Sequence, residues 1–173
     1  MKPACLLLLL LPALQLTAQK KLKVETGKSG DTTWSTKYEK IYVSPGGKNA
    51  VGEILKSAVY KSKNGFLLAL SIQTGRTSIM TIDEGAAAII ELEDGNLITL
   101  TSINMQESRR AASDYGCFIS SFYRLSGPAL RQLRINPIKS IVINSSAGKL
   151  IYKLKEKQAD SISDQLGKFE PVN

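Results

Sequence analysis

The chain contains no histidine. That absence removes Ser-His-Asp and Cys-His catalysis, imidazole metal ligation and the commonest general base. Cysteine is nearly as scarce, with Cys5 and Cys117 the only two. Cys5 falls in the leader described below, so Cys117 stands alone in the remainder. An intramolecular disulfide and a structural zinc site are thereby excluded. Within Tyr115-Gly116-Cys117-Phe118-Ile119, the lone thiol reads as a small buried hydrophobe rather than a reactive group. Beyond the first 16 residues no apolar run approaches the roughly 20 residues of a transmembrane helix. No Gly-x-Ser-x-Gly elbow is present. Thr26-Gly27-Lys28-Ser29 resembles the tail of a phosphate-binding loop, but Leu22 stands where the first glycine belongs and no apolar strand precedes it, so it reads as polar linker.

What is present begins with the leader. Lys2 is a short positive start, Ala4 to Leu14 a short apolar stretch, and Ala18 a small residue before Gln19-Lys20-Lys21. This grammar predicts a secretory signal peptide over residues 1–18, cleaved after Ala18, and hence a soluble periplasmic or extracellular protein. Its removal would leave 155 of the 173 residues, enough for one domain with a genuine core.

Charge is unevenly spread. Residues 19–63 carry ten Lys and four acids, residues 64–108 one Arg and six acids, and residues 109–173 eleven basic residues and five acids. Five of the six arginines fall between Arg109 and Arg134. Such a balance favours anionic neighbours. However, no run exceeds two adjacent basic residues, and surface charge also serves solubility.

Residues 19–37 are polar and read as an N-terminal linker or a weakly held first strand, leaving 38–173 as a single β-rich domain. From Tyr38 the pattern has period two. Strands are expected over Tyr38–Val43, Ile54–Lys61, Phe66–Gln73, Ser78–Ile82, Ala86–Glu93, Asn96–Ile103, Tyr115–Leu125, Ile138–Asn144 and Lys149–Leu154. Asn64-Gly65 predicts a type I′ hairpin, and Asp94-Gly95 and Ser145–Gly148 predict two more. Phe66, Leu68, Leu70 and Ile72 share one face and read as core. Ser126-Gly127-Pro128 is a helix start, predicting a short helix through Arg134 with Leu130 and Leu133 inward and Arg131 and Arg134 outward. Ala159, Ile162, Leu166 and Phe169 recur at helical spacing, predicting a C-terminal amphipathic helix from Glu156 to Leu166. The expected fold is mostly β (α+β): an antiparallel sheet, sandwich or partly closed barrel carrying these two helices.

Glu91 and Glu93 lie two apart on one predicted strand face, and Asp83-Glu84 occupies a predicted turn. Paired carboxylates could perform glycoside hydrolysis, but simple alternation explains a solvated outer face. Asn144-Ser145-Ser146 is a glycosylation sequon at a hairpin tip. Tyr115, Phe118, Phe122 and Tyr123 interleave with Arg109, Arg110 and Arg124 as a nucleic-acid surface would. Their alternation reads instead as a strand buried on both sides, and export disfavours nucleic acid as a partner.

The leader's end, Leu92-Glu93-Asp94-Gly95-Asn96-Leu97-Ile98-Thr99-Leu100, and the segment from Leu125-Ser126 through Pro137-Ile138-Lys139-Ser140-Ile141-Val142-Ile143 to the closing helix resemble small exported bacterial proteins of unknown function. The resemblance implies a mostly-β domain outside the cytoplasm and supplies no activity. The expectation is a non-enzymatic binding or envelope-associated domain without cofactor or metal. Its candidate binding group is Arg109, Arg110, Arg124, Arg131 and Arg134, facing an anionic envelope component or another envelope protein. The alternatives are a carboxylate-dependent hydrolase of envelope polysaccharide and a small-molecule carrier with an apolar cavity.

Overall fold

Alternating sequence cut by glycine turns gives an almost wholly antiparallel molecule. The computed structural model describes residues 22–26, 31–46, 52–75, 78–110 and 116–169; the leader lies outside them. In chain order the strands before the first helix are β1 (Lys23–Thr26), β2 (Thr32–Ser35), β3 (Glu39–Val43), β4 (Ile54–Ser62), β5 (Gly65–Thr74), β6 (Thr81–Ile82), β7 (Ala87–Leu92), β8 (Leu97–Thr101), β9 (Gln106–Glu107), β10 (Arg109–Arg110) and β11 (Cys117–Leu125). Then come α1 (Gly127–Ile135), β12 (Ile138–Ser145), β13 (Gly148–Lys153), α2 (Glu156–Ala159) and α3 (Ser161–Gly167).

The expected hairpins form, each with a positive-φ glycine. Gly65 (φ 106°) pairs with Ser62, so the turn residues are Lys63 and Asn64, one earlier than the spacing predicts. Gly95 (φ 85°) closes a three-residue loop, where its N–H donates to the Leu92 carbonyl at 3.0 Å and the Leu92 N–H donates to the Asn96 carbonyl at 2.9 Å. A glycine in that position forms a bulge that a Cβ would strain.

The large sheet runs β1-β2-β4-β5-β11-β10, with β3 also on β4. A second sheet runs β13-β12-β7-β8, and β6 and β9 form a small ribbon. One seam between the large sheets is a bridge from Ser102 to Tyr123, reinforced by the Ile103 N–H donating to the Phe122 carbonyl at 2.9 Å. On the other side Tyr42 of β3 meets Tyr152 of β13 edge to face, with centroids 5.1 Å apart. The sheets thus wrap into a partly closed antiparallel barrel. Its interior is filled by one cluster that includes Leu55, Leu68, Leu70, Ile72, Ile90, Ile119 and Ile141. The inward stripe expected of β5 is therefore core, with Phe66 half-buried at its end.

The polar segment before Tyr38 contains β1 and β2, and β2 and β3 are two halves of one strand along β4. Between them the chain leaves the ladder. The Thr36 N–H still donates to the Val59 carbonyl (2.9 Å), but the Thr36 hydroxyl takes the place of a backbone carbonyl and accepts from the Val59 N–H (2.9 Å). Gln165 of α3 lies fully buried over this irregularity. Its amide nitrogen donates to the carbonyl (3.2 Å) and hydroxyl (3.0 Å) of Ser57.

Helix α1 begins as expected, with the Ser126 hydroxyl accepting from the Ala129 N–H at 3.3 Å. The C-terminal helix is two pieces rather than one. Asp160, a short polar residue of the kind that favours helix ends over interiors, separates α2 from α3. Ala159, Ile162 and Leu166 are nevertheless all buried, and Phe169 packs edge to face on Phe66 at 5.5 Å. No helix of the described residues is long and apolar enough to cross a membrane.

Candidate functional site

Strand β11 is one-sided. Cys117, Ile119, Ser121, Tyr123 and Leu125 are buried, while Phe118, Ser120, Phe122 and Arg124 face outward. The expectation of burial on both sides fails here, since Phe118 is 43% exposed; Tyr115 lies outside the described residues. Aromatic residues on an outer face imitate a core pattern, and the discriminating signal was the alternate polar pair Ser120 and Arg124.

Registers extend this face across the sheet in rows. Arg109, Phe118, Gln73, Ile54 and Val43 form one row, and Ser120, Ser71, Lys56 and Lys40 the next. Phe122, Ala69 and Ala58 follow, then Arg124, Leu67 and Tyr60. Ala58 and Ala69 are completely buried although they lie on the outer side. The cover is aromatic. Tyr60 and Phe122 meet edge to face at 5.5 Å, and the Tyr38 hydroxyl shares hydrogen bonds with those of Tyr60 and Ser120. Tyr38 thus arches from beside β4 toward β11 over two residues small enough to admit its ring. Burial, then the Tyr60 hydrogen bond, push its phenol well above the ordinary tyrosine range, and Ser120 opposes them.

The outward residues of β3, β4, β5, β10 and β11 include Lys40, Lys56, Arg109 and Arg124 and no carboxylate. Lys40 and Lys56 are direct cross-strand partners. Arg109 sits opposite Phe118, six residues from Arg124 along β11, or roughly 20 Å at strand rise. The sequence-predicted arginines therefore divide. Arg109 and Arg124 share this face, while Arg110 is directed to the other side of its strand. Arg131 and Arg134 are exposed on α1 just beyond Arg124, and the Arg131 guanidinium folds back to within 3.8 Å of the Cβ position at Gly127. Lys40, Lys56, Tyr38 and Tyr60 were not anticipated; strand register brings them here.

The other candidate groups have local partners. A bulge at Lys139 sets two consecutive side chains beside Glu91, whose carboxylate accepts from Lys139 Nζ (2.7 Å) and Ser140 Oγ (2.8 Å). These bonds, Lys139 first, hold the Glu91 carboxyl below its usual range and raise Lys139. Glu93 lies just beyond the end of β7, near enough to Lys139 to act on the same ammonium as Glu91. Asp83 and Glu84 are exposed in their turn. Cys117 is buried, its thiol 3.9 Å from the Ser78 carbonyl. Within the sequon, the Ser146 hydroxyl accepts from the Thr81 N–H at 2.8 Å. Of the phosphate-loop-like tetrad only Thr26 lies among the described residues, at the end of β1. No group of three or more His, Cys, Asp or Glu side chains among the described residues could hold a metal ion. Comparison with protein-family models, curated proteins and solved structures returned no match.

Proposed function

We propose that this chain is an exported, non-enzymatic binding domain whose outer sheet face engages an anionic envelope polymer. The observation that carries the reading is the pair Arg109 and Arg124 on one face with Phe118 and Phe122 between them. At roughly 20 Å along the strand the two arginine positions are further apart than the ~8 Å screening length of physiological salt. They act independently, so a small anion meets one of them and an extended polyanion both. Export follows from the leader and directs the reading to envelope material. The filled barrel interior supports a surface site over an enclosed one.

The test is a binding assay against polygalacturonate and neutral dextran at low and high salt. The reading expects retention of the polyanion alone, weakening as salt rises. R109Q/R124Q should lose about 1–2 kcal/mol, or roughly 5–30-fold in affinity. Absence of binding, or binding indifferent to salt, refutes it.

A further inference from the structure

We infer that Lys40, Lys56 and Ser71 form a subsite for the acid group of a sugar, and that the Tyr38 arch beside them receives the sugar's ring. The ligand is then a polysaccharide of acidic sugars, an inference that rests on the reading above and specifies its chemistry. Lys40 and Lys56 face each other across β3 and β4, the arrangement in which like charges repel most directly. No carboxylate among the described residues pairs with either. An external anion bridging both ammonium groups removes that repulsion. Ser71 is opposite Lys56 on the next strand, about 4.8 Å away in the sheet direction, and offers a hydroxyl to the same anion. Lysine heads are hydrated point charges without the fixed fork of arginine, which suits a carboxylate on a hydrated sugar.

One row further, two residues along each strand, lies the Tyr38 cover over Ala58 and Ala69. Its hydroxyl is held by Tyr60 and Ser120, and the residue remains 41% exposed. The surface thus offers an apolar ring edged by hydroxyls a few ångströms from two cations. A pyranose has the matching shape, with an apolar C–H face and a polar rim. Single-stranded nucleic acid stacks successive bases on several open rings. Here Phe122 and Tyr60 stand 71° to one another, and both lie half-buried against the arch.

Tetragalacturonate, whose four carboxylates extend over less than the roughly 20 Å that separates Arg109 from Arg124 along the strand, is titrated calorimetrically into the full mature chain and into K40Q/K56Q and R109Q/R124Q. Thymidine tetranucleotide and phosphatidylglycerol vesicles are run alongside. The expected result is binding of tetragalacturonate that falls at least about tenfold in K40Q/K56Q and less than about threefold in R109Q/R124Q. The melting temperature of K40Q/K56Q should equal or exceed that of the native chain, because a repulsive pair has been removed; this also establishes that the variant is folded. Unchanged tetragalacturonate affinity in K40Q/K56Q overturns the inference, as does stronger binding of the tetranucleotide or the vesicles. Binding of long polygalacturonate without the tetramer overturns the subsite alone, whereas no binding of either overturns the broader reading too.

Discussion

Replacing Gln165 by Leu should destabilise the domain although side-chain volume is nearly conserved. The Gln165 amide is completely buried and gives two hydrogen bonds to Ser57, at 3.0 and 3.2 Å. Its contact with the Thr36 hydroxyl, at 3.5 Å, sits at the limit of a hydrogen bond and adds little. Q165L leaves the Ser57 acceptors short of a donor where water cannot reach, at about 1–3 kcal/mol for such a group. With two Ser57 acceptors losing the same donor, the loss should be about 2–4 kcal/mol. In a domain of this size that lowers the melting temperature by roughly 5–15 °C. Urea unfolding should show a lower midpoint with an unchanged slope. The double variant S57A/Q165L should recover part of the loss, because removing both polar partners is far milder than stranding one. The reasoning fails if Q165L lies within about 0.5 kcal/mol of native, or if S57A/Q165L is no more stable than Q165L alone.

Three further outcomes are expected. Gly116 has φ 126°, and a Cβ there would lie 2.2 Å from the Thr74 carbonyl oxygen, so G116A should cost at least about 2 kcal/mol in urea unfolding, and a neutral result would show that the entry to β11 can shift. The depressed Glu91 carboxyl stabilises the fold above its unfolded pKa, and that contribution disappears as pH falls through the lower folded pKa. E91Q should therefore melt with a shallower acid dependence than native, and parallel curves would disprove the Lys139 and Ser140 assignment. Spectrophotometric titration should find Tyr38 and the buried Tyr123 both ionising above the ordinary range, with Y60F moving the Tyr38 transition downward because a bond that favours the neutral phenol is lost. An unmoved alkaline transition would reject the hydroxyl cluster.

Hairpins and the capped helix were legible because their causes are local. Gly65, Gly95 and Gly148 each supply a backbone conformation that other residues resist, and Ser126 with Pro128 announces α1 within three positions. The inward stripe Leu68, Leu70 and Ile72 was legible for the same reason, since period two needs only one strand. The outer face depended on register between strands. Nothing local places Lys40 against Lys56 or sets Arg109 beside Phe118, so the arginine cluster drawn from sequence proximity divides between the sheet and α1. Gln165 was missed because its amide occupies the apolar stripe of Ile162 and Leu166, where a polar residue signals solvent unless the irregular edge at Thr36 is known. The break at Asp160 was visible in composition, but the unbroken apolar spacing around it masked it.

The ties between the two ends of the chain bear on the order in which the domain is assembled. Thr36 reaches Gln165 and Glu39 reaches Lys168, each contact spanning 129 residues, and Phe66 rests on Phe169. Loop closure on that scale precedes any reward from the contacts it makes, which slows folding. A chain emerging from its N-terminus can form the β4–β5 hairpin early, yet the buried end of β4 stays uncovered until α3 arrives. The last few turns of helix are thus the latch that completes the barrel, covering Ser57 and tying Glu39 to Lys168.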